Sequence, residues 1–361
     1  MHGISFIGAD SALAEKVDFL SQPAAYGLAS AGVVRRETHM SWIFLAGDKV
    51  YKLKKPVRFP YLNFSTLDRR EAACRAELRL NRRLAPDVYL DVVPLTESSG
   101  SLSIDGAGAP VDWLVVMRRL DEGFMLDRMI EDKRIGLVRL DRLIATLGCF
   151  YRSATPICLP AAVHLADWWQ RLAYNRRILL DPRFATPVGL VRRIDRAQRL
   201  FLQRRSYLIA ARLRRRRIVD GHGDLRPEHI WLDDEIRIID CLEFNPRLRI
   251  VDPLDEVAYL CLECERLGAA WVGAYIQRRM KRLLRDGPAN ELFTFYRCHR
   301  AMLRARLAIA HLMEKHPRTP EKWPQLCSAY LKLADASARK LEVYLRTRRD
   351  RSGYALRASA E

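Results

Sequence analysis

The chain has 361 residues, 49% hydrophobic and 29% charged, enough for one large two-lobed unit or two medium domains. No run of about 18 apolar residues occurs, and the opening MHGISFIGADSALAEKVDF lacks a basic start, an apolar block and a cleavage site, so neither a membrane span nor a secretory signal is expected. The net charge of +19, mostly an excess of arginine, suits an anionic partner: nucleic acid, an anionic membrane surface, or a phosphorylated or nucleotide ligand.

Residues 10 to 21 show helical periodicity (Leu13, Val17, Leu20) after Asp10-Ser11, and Pro23 ends the run. Strands are predicted at Val33–Arg36, Ser41–Leu45 and Lys49–Lys55, with Gly47-Asp48 turning between the last two. In the third strand, alternation places Val50, Lys52 and Lys54 on one face. A helix is predicted from a cap at Ser65 or Thr66 through Leu84, with Glu77, Leu78, Leu80 and Leu84 along it. Val88–Leu95 and Ser101–Ile104 read as strands around the turn Glu97–Gly100, and Trp113–Met117 as another.

From 121 to 217 the chain is nearly all helical, over Met125–Ile130, Leu137–Tyr151, His164–Leu180 and Val188–Arg215. Arginine pairs and the block Arg214–Arg217 are dispersed at helical spacing, as on solvated faces, and no zinc-finger, RNP or basic-zipper pattern accompanies them. After 256, helices are predicted at Val257–Leu267, Trp271–Leu284, Leu292–Glu314 and Pro320–Arg346, and the last dozen residues read as unstructured. Cys261 and Cys264 share one helix face, and the eight cysteines read as packing groups of a reduced, cytoplasmic chain. There is no internal repeat and no G-x-x-x-x-G-K-(S/T), so no second P-loop domain is expected.

The stretch 218–256 carries the chemistry. Two apolar runs, Ile230–Leu232 and Ile236–Ile239, flank the acidic turn Asp233-Asp234-Glu235, the pattern of a small hairpin. Before it stands His222-Gly223-Asp224-Leu225-Arg226-Pro227-Glu228-His229, and after it Asp240, which a hairpin of this length can return to Asp224. Two carboxylates at one mouth are what phosphoryl transfer from a metal–nucleotide requires: one accepts the proton of an attacking hydroxyl, the other holds the metal.

Loop, hairpin and second aspartate in this order resemble the catalytic segment of protein kinases and of aminoglycoside phosphotransferase-like small-molecule kinases. Asp224 comes two positions after His222, as the aspartate of H-R-D-x-x-x-x-N comes after its histidine. Gly223 is the form of the antibiotic and choline kinase branch, and Asp252-Pro253-Leu254-Asp255 is similar to that branch's tail. Within the family the chain looks closest to an uncharacterised bacterial group.

The resemblance implies a two-lobed protein-kinase-like α+β fold: a small antiparallel-sheet N-lobe over 1–117, and a mostly helical C-lobe over 118–361 with the catalytic loop at 220–256. It implies an ATP-dependent phosphotransferase that moves the γ-phosphate to a hydroxyl of a small-molecule acceptor, with ATP and Mg²⁺, or Mn²⁺ in its place. Asp224 would be the base and Asp240 the metal carboxylate. Lys52, with Lys54 in reserve, would steady the α/β-phosphates, braced by Glu77. Arg226 would stabilise charge on the moving phosphoryl group. His222 would brace the loop, Glu243 would complete the metal shell or orient the loop, and Asp255 would anchor the segment. The adenine would meet backbone at a hinge beginning at Met117.

Two features depart from the family. The position of its asparagine is His229, which would be a second, softer metal ligand or the mark of lost activity. No G-x-G-x-x-G precedes the lysine strand, so the loop Arg36–Ser41, with the hydroxyls of Thr38 and Ser41, would have to cover the phosphates. Two other readings therefore stay open: a nucleotide-binding pseudokinase with a regulatory role, and a basic nucleic-acid or membrane-surface binder on the same fold.

Overall fold

The longer strands all lie before Arg119, and helices dominate the remainder. The computed structural model describes residues 10–357 apart from 30, 31, 60, 288, 289, 315, 316 and 318. The described residues separate into two compact units: one gathers those up to Met129 with His222–Asp224 and Glu228–Arg249, and the other holds the remaining described residues.

The first unit is built on strands β1 (Val34–Glu37), β2 (Ser41–Ala46), β3 (Lys49–Lys54), the short pair β4 (Arg58–Phe59) and β5 (Leu62–Asn63), β6 (Tyr89–Ser98), β7 (Ser101–Ile104) and β8 (Ala109–Arg118). Six of them form one sheet in the order β1-β2-β3-β8-β6-β7, antiparallel at every pairing. Alternation along β3 sorts its side chains between the two faces. Leu53 packs with Phe44, Leu95 and Leu114 against Val17 and Leu20 of helix α1 (Asp10–Leu20). Lys52 and Lys54 point the other way, toward helix α2 (Leu67–Asn81).

Thr66 caps α2, its hydroxyl accepting from the Arg69 amide, a contact of the kind that stabilises a helix by about 1 kcal/mol. The helix stops at Asn81, short of the predicted Leu84, and the chain goes on in tighter turns, Arg83 N–H on the Leu80 carbonyl (3.4 Å) and Leu84 N–H on the Asn81 carbonyl (3.0 Å). Strand β8 starts earlier than the predicted Trp113 because it pairs along β6 as far as Ala109 with Glu97. The predicted hairpin is present, Ile230–Leu232 antiparallel to Ile236–Ile238. It belongs to the sheet unit, tied by Ile238 N–H to the Leu84 carbonyl (3.3 Å) and by the Trp231 indole to the Asp121 carbonyl (3.0 Å).

The short helix α3 (Leu126–Glu131) begins in the first unit and ends in the second, which is helical: α4 (Leu137–Ser153), α5 (Ala161–Leu179), α6 (Val188–Arg214), α7 (Pro253–Arg266), α8 (Ala270–Leu283), α9 (Asn290–Ala310) and α10 (Lys322–Arg357). Helix α10 continues into residues predicted to be unstructured. At its centre is α7, buried at every position from Pro253 to Cys264. Asp252 caps it, accepting from the Leu254 amide at 3.0 Å, and Pro253 opens it where no amide is needed.

The carboxylates on this buried helix are each met by other helices. Arg212 of α6 clamps Asp252 (2.6 and 2.9 Å) and also Asp286 (2.6 and 2.5 Å). Arg300 clamps Asp255 (2.8 and 2.7 Å), the Tyr151 hydroxyl donates to Glu256 (2.9 Å), and Tyr330 donates to Glu263 (2.8 Å). Cys261 and Cys264 are both buried packing groups, and burial pushes the Cys261 thiol up to about 12. Among the described residues no helix is long and apolar enough to cross a membrane.

Removing Arg212 would strand two buried carboxylates. Arg212→Leu is expected to lower the unfolding free energy by about 3–5 kcal/mol in urea titrations. The exposed Arg204→Leu should stay within about 0.5 kcal/mol of the parent. Equal, small losses for both would show that the clamp does not hold α7.

Candidate active site

The two lysines of β3 share one carboxylate. Lys52 Nζ lies 2.8 Å from Glu77 Oε1, and Lys54 Nζ lies 2.6 Å from Glu77 Oε2. Each also reaches the hairpin segment: Lys52 to Asp240 Oδ1 (2.9 Å) and Lys54 to Glu243 Oε1 (2.5 Å). Exposure separates the two arms. Lys54 and Glu77 have side chains 1% exposed, whereas the Asp240 carboxylate is 47% exposed. Burial alone would push Glu77 up, but the ammonium groups of Lys52 and Lys54 outweigh it and hold the carboxyl below its ordinary value. For Glu243 burial prevails over Lys54, and its carboxyl is raised.

Asp240 is aimed by its backbone. It adopts φ +62°, the left-handed region that aspartate tolerates better than most residues. The segment 239–242 is tied down at every amide: Ile239 to the His229 carbonyl (2.9 Å), Asp240 to the Tyr89 hydroxyl (3.1 Å), Cys241 to Asn81 Oδ1 (2.8 Å) and Leu242 to the His222 carbonyl (3.1 Å). Gly223 stands at φ +89°, where an added Cβ would come within 3.0 Å of Leu242 and 3.2 Å of Arg249. This close approach accounts for glycine between His222 and Asp224.

Two histidines hold the loop. The His222 ring, fully buried, bonds through Nε2 to the Ile239 carbonyl (2.9 Å) and through Nδ1 to the Asp224 amide (3.3 Å). Burial and the neighbouring His229 push it down to about 3. His229 stands between the two aspartates. Its Nδ1 lies 2.9 Å from the Asp224 backbone oxygen and 3.8 Å from Asp224 Oδ2, and its Nε2 lies 3.7 Å from Asp240 Oδ2.

Of the residues singled out in the sequence, Lys52, Glu77, Asp224, His222, His229, Asp240 and Glu243 are thus gathered in the sheet unit. Thr38 and Ser41 form a tight turn on each other, the Thr38 hydroxyl donating to the Ser41 carbonyl (3.0 Å), and Ser41 is buried. Met117 is half-buried on β8, beside Tyr89 and Cys74. Arg226 is half-buried and Asp255 is buried in the Arg300 clamp, both within the helical unit.

Sequence reasoning keeps Lys54 only in reserve, although alternation already puts it beside Lys52. It misses Tyr89 and Asn81 entirely, and nothing local distinguishes a strand tyrosine or a helix-end asparagine that will anchor a distant loop. In chemical terms, the exposed Asp240 carboxylate with the His229 imidazole could hold a divalent cation. The Lys52 ammonium beside them could meet an anionic group.

Lys54→Met is expected to cost about 3–5 kcal/mol of stability, because Glu77 and Glu243 lose their buried partner. Lys52→Met should cost less, since Asp240 can turn to water. Denaturant titrations giving the reverse order would contradict this division. The depressed His222 value also has a sign: as pH falls below about 6.5 the unfolded chain takes up the proton first, so stability is full above that value and declines toward pH 3. His222→Gln should shrink the loss of urea midpoint between pH 7 and pH 5. An undiminished loss would place the titration elsewhere.

No protein-family model matches the chain. An uncharacterized protein of Mycobacterium tuberculosis is 33% identical over 285 residues, covering 78% of this chain and 56% of the relative, and a Mycobacterium bovis protein matches to the same extent. The chain therefore spans little more than half the length of these curated relatives. Among solved structures, a choline/ethanolamine kinase family protein from Mesorhizobium loti superposes with a TM-score of 0.52 at 15% identity, covering 91% of this chain and 99% of the other. A thermostable mutant of aminoglycoside phosphotransferase APH(4)-Ia gives 0.52 at 14% identity, covering 90% and 98%. At such identities the likeness is one of fold. With its antiparallel-sheet unit and its helical unit, the chain shares the two-lobed α+β fold of these two solved structures, and the mycobacterial relatives it matches in sequence are uncharacterized.

Proposed function

We propose that the protein is an ATP-dependent phosphotransferase acting on a hydroxyl of a small-molecule acceptor. The observation that carries this reading is the convergence on Asp240: Lys52 at 2.9 Å on one carboxylate oxygen, and His229, itself against Asp224, at 3.7 Å from the other. A base, a metal carboxylate and a braced lysine within one loop system are the parts phosphoryl transfer uses.

In this reading Asp224 accepts the proton of the acceptor hydroxyl. Lys52, oriented by Glu77, binds the α/β-phosphates of ATP. Lys54 acts through Glu77 and Glu243, keeping both carboxylates fixed behind the phosphate-binding lysine. A divalent cation, held by Asp240, would neutralise charge on the phosphates. The donor set fits a divalent cation: the Asp240 carboxylate is half-exposed, its orientation is fixed by the backbone bonds of 239–242, and a second donor faces it. Arg226, two residues after the base, stabilises charge on the transferring group, and His222 keeps Asp224 in place through its amide. The turn of Thr38 and Ser41 uses both of its own amides internally, Thr38 N–H on the Ser41 carbonyl and Ser41 N–H on the Thr38 hydroxyl, so it would serve to shape the loop 36–41 over the phosphates, and the backbone at Met117 meets the adenine. Glu243 and Asp255 are supporting groups.

A second reading is favoured by one observation, the imidazole of His229 at the family's asparagine position: a nucleotide-binding protein that signals by binding alone. Turnover separates the two. Asp224→Ala is expected to reduce phosphoryl transfer to a hydroxyl-metabolite library by about 10²–10⁴-fold while ATP affinity, measured by calorimetry, stays within about threefold. Equal turnover by parent and variant would remove Asp224 from the role of base.

A further inference from the structure

The two histidines of the loop are hydrogen-bonded in opposite senses. His229 Nδ1 lies 2.9 Å from the Asp224 backbone oxygen, which can only accept, so Nδ1 carries the proton. In the neutral ring the lone pair is then on Nε2, the nitrogen facing Asp240 Oδ2 at 3.7 Å. His222 does the reverse, donating from Nε2 to the Ile239 carbonyl and accepting the Asp224 amide at Nδ1. The His222 ring holds the Ile239 carbonyl just before Asp240, the Tyr89 hydroxyl holds the Asp240 amide, and Lys52 occupies the other carboxylate oxygen of Asp240.

An imidazole nitrogen and a carboxylate oxygen therefore confront one another at a set spacing. Two donors with bonds of about 2.0–2.2 Å to one ion can stand no more than about 4.4 Å apart, and 3.7 Å lies inside that limit. The second-layer arrangement is also that of a metal histidine, whose other ring N–H is given to a backbone carbonyl. Mg²⁺ takes oxygen ligands and gives up its water reluctantly, whereas imidazole suits the first-row ions.

We propose that His229 converts the cation position beside Asp240 into a mixed nitrogen–oxygen site that selects a first-row transition ion, Mn²⁺ or Zn²⁺, over Mg²⁺. The inference rests on the reading of Asp240 as the metal carboxylate and adds the identity of the ion. The competing arrangement is an imidazolium that itself replaces the cation by pairing with Asp240. In that case the imidazole would oppose metal binding.

The test uses the full chain with Mn²⁺, Zn²⁺ or Mg²⁺ as the probe and no nucleotide. Calorimetric titration should show Mn²⁺ and Zn²⁺ binding at least tenfold more tightly than Mg²⁺. His229→Asn should lose at least tenfold in Mn²⁺ affinity while Mg²⁺ affinity is unchanged or improved, and Asp240→Asn should weaken all three. Electron spin-echo modulation of bound Mn²⁺ should show a directly bonded ¹⁴N in the unmodified protein, replaced by ¹⁵N coupling when histidine is ring-labelled. This second readout needs no variant and so survives a misfolded His229→Asn. Absence of nitrogen coupling, its persistence in a folded His229→Asn, or tighter Mn²⁺ binding by that variant would overturn the proposal. A nitrogen-ligated Mn²⁺ without phosphoryl transfer would sustain the ion assignment and count against the proposed activity. Mg²⁺-supported transfer without nitrogen coupling would do the opposite.

Discussion

A single carboxylate, that of Glu77, joins the two lysines of β3 and through them the hairpin loop. Its cost of burial is met only because both oxygens carry an ammonium group, and a buried ion pair missing one partner is strongly destabilising. The pairing is therefore also a constraint on position. Lys52 cannot move without releasing Glu77, and Asp240 and Glu243 move with the lysines that bind them. Inside the sheet unit, one charge cluster joins the strand β3, the helix α2 and the segment 240–243.

The cluster is graded from inside to outside. Lys54 with Glu77 and Glu243 is its buried end and acts as support, while Lys52 with Asp240 is its accessible end. The half-exposed carboxylate, the adjacent ammonium and the facing imidazole are the groups able to meet a solute. The helical unit uses the same device for a different end. There Arg212 and Arg300 pair with, and Tyr151 and Tyr330 donate to, the carboxylates of the buried stretch 252–264, and none of these groups is arranged around an accessible carboxylate.

Much of this is legible in the sequence because the signals are local. Period-two alternation places Lys52 and Lys54 on one face before any pairing is known, and the acidic turn between two apolar runs announces the hairpin. Helix starts are legible from caps, as at Thr66. The unread parts depend on contacts distant in sequence. The length of β8 is set by β6, the hairpin's place in the sheet unit by Leu84 and Asp121, and the anchoring of Asp240 and Cys241 by Tyr89 and Asn81. Propensity and periodicity carry no information about such partners. The substitution at His229 is visible as a departure, but only geometry shows its ring set between Asp224 and Asp240.

In the proposed function Asp240 and Lys52 together receive a metal–nucleotide, and every other assigned role depends on that pairing. Its most direct test is the coupling between divalent cation and ATP in binding, measured by calorimetry on the parent chain and on Asp240→Asn. The cation is expected to tighten ATP binding by at least tenfold in the parent, and this coupling should vanish in the variant. ATP binding indifferent to the cation, or coupling of equal size in both proteins, would contradict it.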